Sequence, residues 1–208
     1  MGNHQLIIGC GAGRTGTTSL AHLIDAQAGA RVTHERFSFD LHWGKPDKWL
    51  AKIEAQKAGH RYYGDVALQW GSCLPLLCDR GARIVIMKRD LESWLESWKH
   101  KAGKRNNWQP PNEGGTPGRS RWYYGFPKFS GCKSRKQALR RYYEHYYEEI
   151  APAALGAYPD QVKLFYVDAL NSDAGQQGIL DHVGIPRHQQ IIRPGIRKNL
   201  GRHRKVVA

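Results

Sequence analysis

Short apolar runs alternate with helical periodicities along this chain. Leu6–Cys10 is an apolar run ending in the glycines of Gly11-Ala12-Gly13, and Thr17–Ala28 after it carries helical spacing. Further strand-like runs stand at Arg61–Val66, at Arg83–Met87 (Arg-Ile-Val-Ile-Met) and at Val162–Val167. Two more helices are read from their stripes. Leu91, Trp94, Leu95 and Trp98 recur at i, i+3, i+4 and i+7, which makes one apolar face. Ser134 and Gln137 have capping-box spacing ahead of Leu139, Tyr143, Tyr146 and Ile150. Strands separated by helices in this way predict an α/β fold of three layers, with a central parallel sheet flanked by helices.

One segment has no period. Residues 102–133 are rich in Gly, Pro, Lys, Arg and Trp, and an irregular stretch this long inside a domain is expected to be a mobile lid. Its aromatics Trp108, Trp122, Tyr123 and Tyr124 lie among Lys104, Arg105, Arg119 and Arg121, a mixture suited to covering an acceptor. No repeat and no composition break marks a second domain, so residues 1–208 are expected to form one.

Composition narrows the class. Of the residues, 40% are hydrophobic, which suits a packed core rather than disorder. No run approaches the roughly 20 apolar residues of a membrane span. Met1–Gln5 has no basic region leading into an apolar one, so no signal peptide and a cytoplasmic location are expected. Cys10, Cys73, Cys78 and Cys132 form neither a C-x-x-C pair nor a zinc spacing; free thiols and no metal site are expected. The formal charge is +14, which favours an anionic partner without choosing one. Basic residues are densest at Lys99–Arg105, Arg119–Arg141 and Arg193–Lys205.

The glycine loop makes the choice sharper. Gly9-Cys-Gly-Ala-Gly-Arg-Thr-Gly-Thr-Thr-Ser-Leu20 follows a strand and opens a helix, and backbone N–H groups at such a turn bind phosphate or sulfate. Gly11-x-Gly13-x-x-Gly16 has dinucleotide-fingerprint spacing, with Glu35 about 20 residues on where a ribose-binding acid would stand. Gly11 and Gly16 also have the spacing of a nucleoside-triphosphate loop. That loop requires a lysine where this chain has Thr17, which counts against a kinase or ATPase. The cation stands instead at Arg14.

Gly13-Arg-Thr-Gly-Thr-Thr-Ser-Leu20 resembles the 5′-phosphosulfate loop of sulfotransferases that use 3′-phosphoadenosine 5′-phosphosulfate (PAPS). The resemblance assigns donor contacts to Gly13, Arg14, Thr15, Gly16, Thr17, Thr18 and Ser19. A second motif agrees with the first. Strand Ile84–Met87 runs into Lys88-Arg-Asp-Leu-Glu-Ser-Trp-Leu-Glu-Ser97, and in the family an Arg at the strand end and a Ser eight residues later hold the 3′-phosphate. Arg89 and Ser97 have that separation, with Ser93 one turn before Ser97 as helper; Leu91 replaces the family's usual proline. A dianionic phosphate needs such a charged fork plus a hydroxyl.

Leu164–Leu170 and Ile179–Pro186 are similar to the family's closing strand and helix. Arg193–Gly201 looks like its basic C-terminal loop, with Arg197 and Lys198 as donor contacts and Asn199 where a glycine is usual. The resemblance covers residues 5–101 and 136–201. It implies a P-loop-like sulfotransferase fold, PAPS as co-substrate, adenosine 3′,5′-bisphosphate as product, and a carbohydrate or small-molecule acceptor.

Sulfuryl transfer needs positioning, electrostatic stabilisation and a base. Arg14, Thr17 and Thr18 are expected to meet the transferring and leaving oxygens. The cytosolic branch's Thr-His-hydrophobic-Pro stretch is missing, Gly64-Asp65-Val66 standing there. Other members carry a Glu shortly after the first helix, where this chain has Thr33-His-Glu35. The base candidates are therefore Glu35, then His34, then Asp65. Two readings from other classes are a nucleotide-dependent kinase and a nucleic-acid module stacking bases on the aromatic segment. No recognised nucleic-acid motif accompanies that segment, so no such partner is expected.

Overall fold

The computed structural model describes residues 4–37, 43, 47–99, 101, 105–117 and 121–193. Five strands form one sheet: β1 (Gln5–Cys10), β2 (Ala30–His34), β3 (Tyr62–Val66), β4 (Arg83–Lys88) and β5 (Val162–Tyr166). Their order is β2-β3-β1-β4-β5 and every pairing is parallel. The helices are α1 (Thr17–Asp25), α2 (Asp47–Glu54), α3 (Leu74–Asp79), α4 (Leu91–Lys99), α5 (Arg135–Glu144), α6 (Ala151–Ala157) and α7 (Asp173–His182). Between α5 and α6 the helical path continues through a π segment, His145–Ile150.

Alternation along the central strands divides the core in two. Leu6, Ile8 and Cys10 of β1, with Ile84 and Ile86 of β4, pack with buried residues of α2 to α6. Ile7 of β1, with Val85 and Met87 of β4, packs with Leu20, Leu23 and Ile24 of α1 and Ile179 and Leu180 of α7. Both faces of these strands are thus covered, which is why their sequences read as continuous apolar runs. The result is the expected α/β sandwich of three layers around a parallel sheet.

Two elements differ from the sequence reading. β2 was not foreseen: it is an edge strand whose one fully buried residue is Val32, so it carries no apolar run. The helix expected over Thr17–Ala28 stops at Asp25. The α5 cap holds in modified form. Ser134 Oγ accepts from Gln137 N at 3.2 Å, while Gln137 Oε1 accepts from Lys133 N rather than Ser134 N.

The expected structureless lid also needs amending. Its described residues, 105–117 and 121–133, include two short 3₁₀ turns and bury Trp108, Tyr123, Phe126 and Cys132. Trp108 is wholly buried and lies edge-on to Trp98 at a centroid distance of 5.2 Å, with Phe126 at 4.9 Å. Lys128 ties the segment together, its Nζ donating to the carbonyls of Asn107, Tyr123 and Phe126. Burial pushes the Lys128 ammonium down to about 8. Of the four aromatics expected to face an acceptor, Trp108 and Tyr123 are core, Trp122 is half-buried, and Tyr124 is exposed. Lys104 and Arg119 lie outside the described residues. No helix among the described residues is long and apolar enough to cross a membrane.

Trp108→Ala should therefore cost about 3–5 kcal/mol of unfolding free energy, the usual loss for a buried tryptophan. Urea denaturation measures it; a loss below about 1 kcal/mol would place Trp108 on a loosely held loop instead.

Candidate functional site

The strand order fixes where a ligand can sit. From β1 the chain turns toward β2 on one side, and from β4 it turns toward β5 on the other. The crevice at the carboxyl ends of β1 and β4 is thus a topological switch point, where open parallel sheets bind ligands. The glycine loop leaves β1 on one wall, and Arg89 follows β4 on the other.

The loop depends on close approach and on left-handed backbone. A Cβ on Gly11 would lie 2.5 Å from the Met87 carbonyl oxygen, so only glycine lets the loop run this close to β4. Gly13, Arg14 and Gly16 have φ of 75°, 58° and 86°. Among the described residues Arg14 and Glu35 are the two non-glycines with positive φ. Such strain, about 1–3 kcal/mol each, collects at functional sites. α1 opens at Gly16 with no side-chain cap and no acid in its first turn, so the positive end of its dipole faces the loop unneutralised. Thr15, Thr17 and Ser19 are buried and Thr18 is half-buried around this turn.

Arg14 is half-buried, and its buried Nε has no hydrogen-bond partner among the described residues. Burial, then repulsion from Arg89, hold its proton less tightly than usual. Among the described residues neither arginine is paired with a carboxylate. Arg89 Nε donates to Ser93 Oγ at 3.0 Å. Ser97, expected as its companion, donates to the Trp94 carbonyl at 2.7 Å, as Ser93 donates to the Asp90 carbonyl at 3.2 Å. Ser93, the helper in the sequence reading, is the hydroxyl at Arg89. Arg197 and Lys198 lie outside the described residues.

The three base candidates meet on the other side of α1, and their surroundings separate them. His34 Nε2 lies 3.2 Å from Thr17 Oγ1 and 3.3 Å from Thr18 Oγ1. Burial pushes its pKa down to about 4, with His22 adding to the shift, so the ring is neutral at pH 7 and a weak base. Asp65 is wholly buried. Its Oδ1 accepts from Thr33 Oγ1 at 2.5 Å and from Arg36 N at 3.3 Å, and its Oδ2 from Trp70 Nε1 at 3.0 Å. Burial lifts it to about 6 against those bonds. So enclosed, Asp65 supports the end of β2 rather than meeting an acceptor.

Glu35 is half-buried, and its Oε1 lies 3.9 Å from His34 Nε2. Burial first and the Asp65 charge second raise it to about 6, against a smaller opposing pull from Lys101. A carboxylate with this value is ionised at pH 7 yet near the optimum for taking a proton. Glu35 and His34 open onto a groove of about 570 Å³ along α1 and β2, lined also by His22, Asp25, Arg31 and Arg36.

Several contacts at the site were invisible in the sequence reading. Sequence pattern points to no role for Trp70 and places Trp94 and Tyr143 only in apolar stripes. Trp94 Nε1 donates to the Gly13 carbonyl at 2.7 Å, and Tyr143 OH to the Arg89 carbonyl at 2.6 Å. Tyr147 OH accepts from Ala12 N at 3.1 Å and donates to the Met87 carbonyl at 2.6 Å. The available signal was the density of tyrosines at 142, 143, 146 and 147, more polar tips than an ordinary helix stripe needs.

NMR titration should find Glu35 changing protonation near pH 6 and His34 neutral throughout pH 5–8. In Asp65→Asn one neighbouring negative charge is gone, so the Glu35 value should move down while burial keeps it above an ordinary glutamate. A Glu35 that titrates as an exposed carboxylate in the wild type would remove it as the poised group. Neither protein-family models nor curated protein sequences yield a match to this chain, so the functional reading rests on the geometry above.

Proposed function

We propose that the chain is a sulfotransferase of P-loop-like fold that transfers a sulfuryl group from PAPS to a hydroxyl or amine of a carbohydrate or small-molecule acceptor. The observation that carries this reading is the pair of guanidiniums, Arg14 and Arg89, on opposite walls of the switch-point crevice with no carboxylate partner among the described residues. A donor with one anionic group at its 5′ end and another at its 3′ position satisfies both. The buried Nε of Arg14, which lacks a partner, and the uncapped start of α1 fit the 5′ group. Arg89 with Ser93 fits the 3′-phosphate. When bound, PAPS supplies an activated sulfuryl group and a stable bisphosphate leaving group.

The chain's own residues divide the remaining work. Amides and hydroxyls at the start of α1, with Arg14, stabilise charge on the sulfuryl and bridging oxygens as the acceptor oxygen or nitrogen bonds to sulfur and the sulfur–oxygen bond to the 5′-phosphate breaks. Glu35 takes the acceptor's proton. His34, neutral and within reach of Thr17 and Thr18, orients those hydroxyls, and Asp65 holds Thr33 and the Arg36 amide on either side of the base. The groove along α1 and β2 is the acceptor's approach. A kinase reading gains nothing from this geometry, because Thr17 leaves its phosphates without their lysine.

The test is incubation with PAPS and a panel of sugars, phenols and amines, reading bisphosphate release and an acceptor heavier by one sulfuryl group. Arg14→Ala should depress kcat most, since it meets charge that develops during transfer, whereas Arg89→Ala should chiefly raise KM for PAPS. Equal PAPS kinetics in wild type and Arg89→Ala would remove Arg89 from the donor site. Glu35→Gln should keep bisphosphate affinity and lower turnover about 10²–10⁴-fold, the scale of a general base. In wild type kcat/KM should fall as pH drops through about 6, because protonated Glu35 cannot accept a proton; that limb should vanish in Glu35→Gln.

A further inference from the structure

The two walls of the crevice belong to different βα units, yet a two-anion site requires a fixed spacing between them. The β1–β4 register ends at Cys10 and Ile86, and beyond it Gly11 still lies close against the Met87 carbonyl but outside the ladder. What connects the two walls there comes from the helix that starts at Arg135. The π segment His145–Ile150 inserts into this helix where it passes behind the crevice, and such insertions are frequent at functional sites.

Tyr147 lies within that segment and is buried. Its hydroxyl accepts from Ala12 N on the glycine loop and donates to the Met87 carbonyl at the end of β4, and it also lies beside the Thr15 side chain of that loop. Burial raises the phenol's pKa, so it stays protonated and able to donate. Its ring packs 4.6 Å from that of Tyr143, which donates to the Arg89 carbonyl, and Tyr143 packs 5.2 Å from Trp94, which donates to the Gly13 carbonyl. Three touching aromatics therefore hold four backbone groups, two on each wall.

We propose that Tyr147 is a positioning residue that ties the glycine loop to the end of β4, so that Arg14 and Arg89 are held at one spacing and a ligand with two anionic groups binds both at once. The inference rests on the two-anion reading of the crevice but not on sulfuryl transfer itself. Tyr147 bonds backbone groups of the two walls rather than the arginines themselves. Its removal is felt through the Ala12 amide and the Met87 carbonyl, which both lose the hydroxyl they share.

The experiment compares Tyr147→Phe with Tyr142→Phe. Tyr142 is also fully buried, but its hydroxyl has no hydrogen-bond partner among the described residues, so its loss leaves the tie intact. Calorimetry would measure adenosine 3′,5′-bisphosphate, which spans both walls, and adenosine 5′-phosphate, which reaches the loop alone. In Tyr147→Phe the bisphosphate should weaken at least tenfold and the monophosphate no more than about threefold. Native-state exchange of the Ala12 amide should accelerate at least tenfold while amides of β5 and α7 keep their rates. Tyr142→Phe should match wild type in all three measurements. Equal weakening of both nucleotides, no weakening of either, or an unchanged Ala12 exchange rate would overturn the proposal. A wild-type protein that binds both nucleotides alike, or neither, defeats the two-anion reading instead, and the exchange measurement then decides the tie by itself.

Discussion

Two guanidinium groups, Arg14 and Arg89, stand at the carboxyl ends of adjacent strands with no carboxylate among the described residues to separate them. Their mutual repulsion, added to burial, is what loosens the Arg14 proton. A folded chain that keeps such an arrangement must hold it by force from elsewhere. Here the force is backbone: glycines that permit left-handed turns and close approach, parallel pairing of β1 with β4, and aromatic side chains whose polar tips grip loop carbonyls and amides. An anion between the walls would relieve the repulsion, which is why the proposed donor's charges suit this crevice.

Across α1 the electrostatics run the other way. Glu35 and Asp65 are two acids sharing a poorly solvated corner, each lifted to about 6. Environment divides their roles. Asp65 is enclosed by three donors and acts through what it holds, whereas Glu35 opens on the groove and keeps a usable carboxylate. Asp65 also contributes to raising Glu35, so one buried carboxylate both shapes the end of β2 and tunes the residue beyond it. The imidazole of His34 links this corner to the start of α1, which places the Glu35 carboxylate one side chain away from the hydroxyls of Thr17 and Thr18.

The central sheet was legible because β1 and β4 are covered on both faces and so read as uninterrupted apolar runs. β2 was not, since an edge strand with one fully buried residue has no such signature. The glycine loop and its cation were legible from spacing, because close approach and positive φ leave few alternatives to glycine. The partner of Arg89 was half legible. Sequence spacing puts Ser97 first and Ser93 second on one helix face; both hydroxyls back-bond to a carbonyl three residues earlier, and only the bond from Arg89 Nε singles out Ser93. The aromatic segment misled for a different reason. Tryptophans among cations suit a surface and a core equally, and Trp108 takes the core while Arg135 lies over its ring at 5.8 Å. Long-range hydrogen bonds such as that of Tyr147 to Ala12, 135 positions away, leave no local pattern at all.

A crystal structure with adenosine 3′,5′-bisphosphate decides whether one crevice takes two anionic groups on two different walls. The expected result is the 5′-phosphate on the amides at the start of α1 with Arg14 Nε donating to it, and the 3′-phosphate on Arg89 beside Ser93. A nucleotide whose 3′-phosphate points to solvent, or whose 5′-phosphate sits away from Arg14, would contradict it.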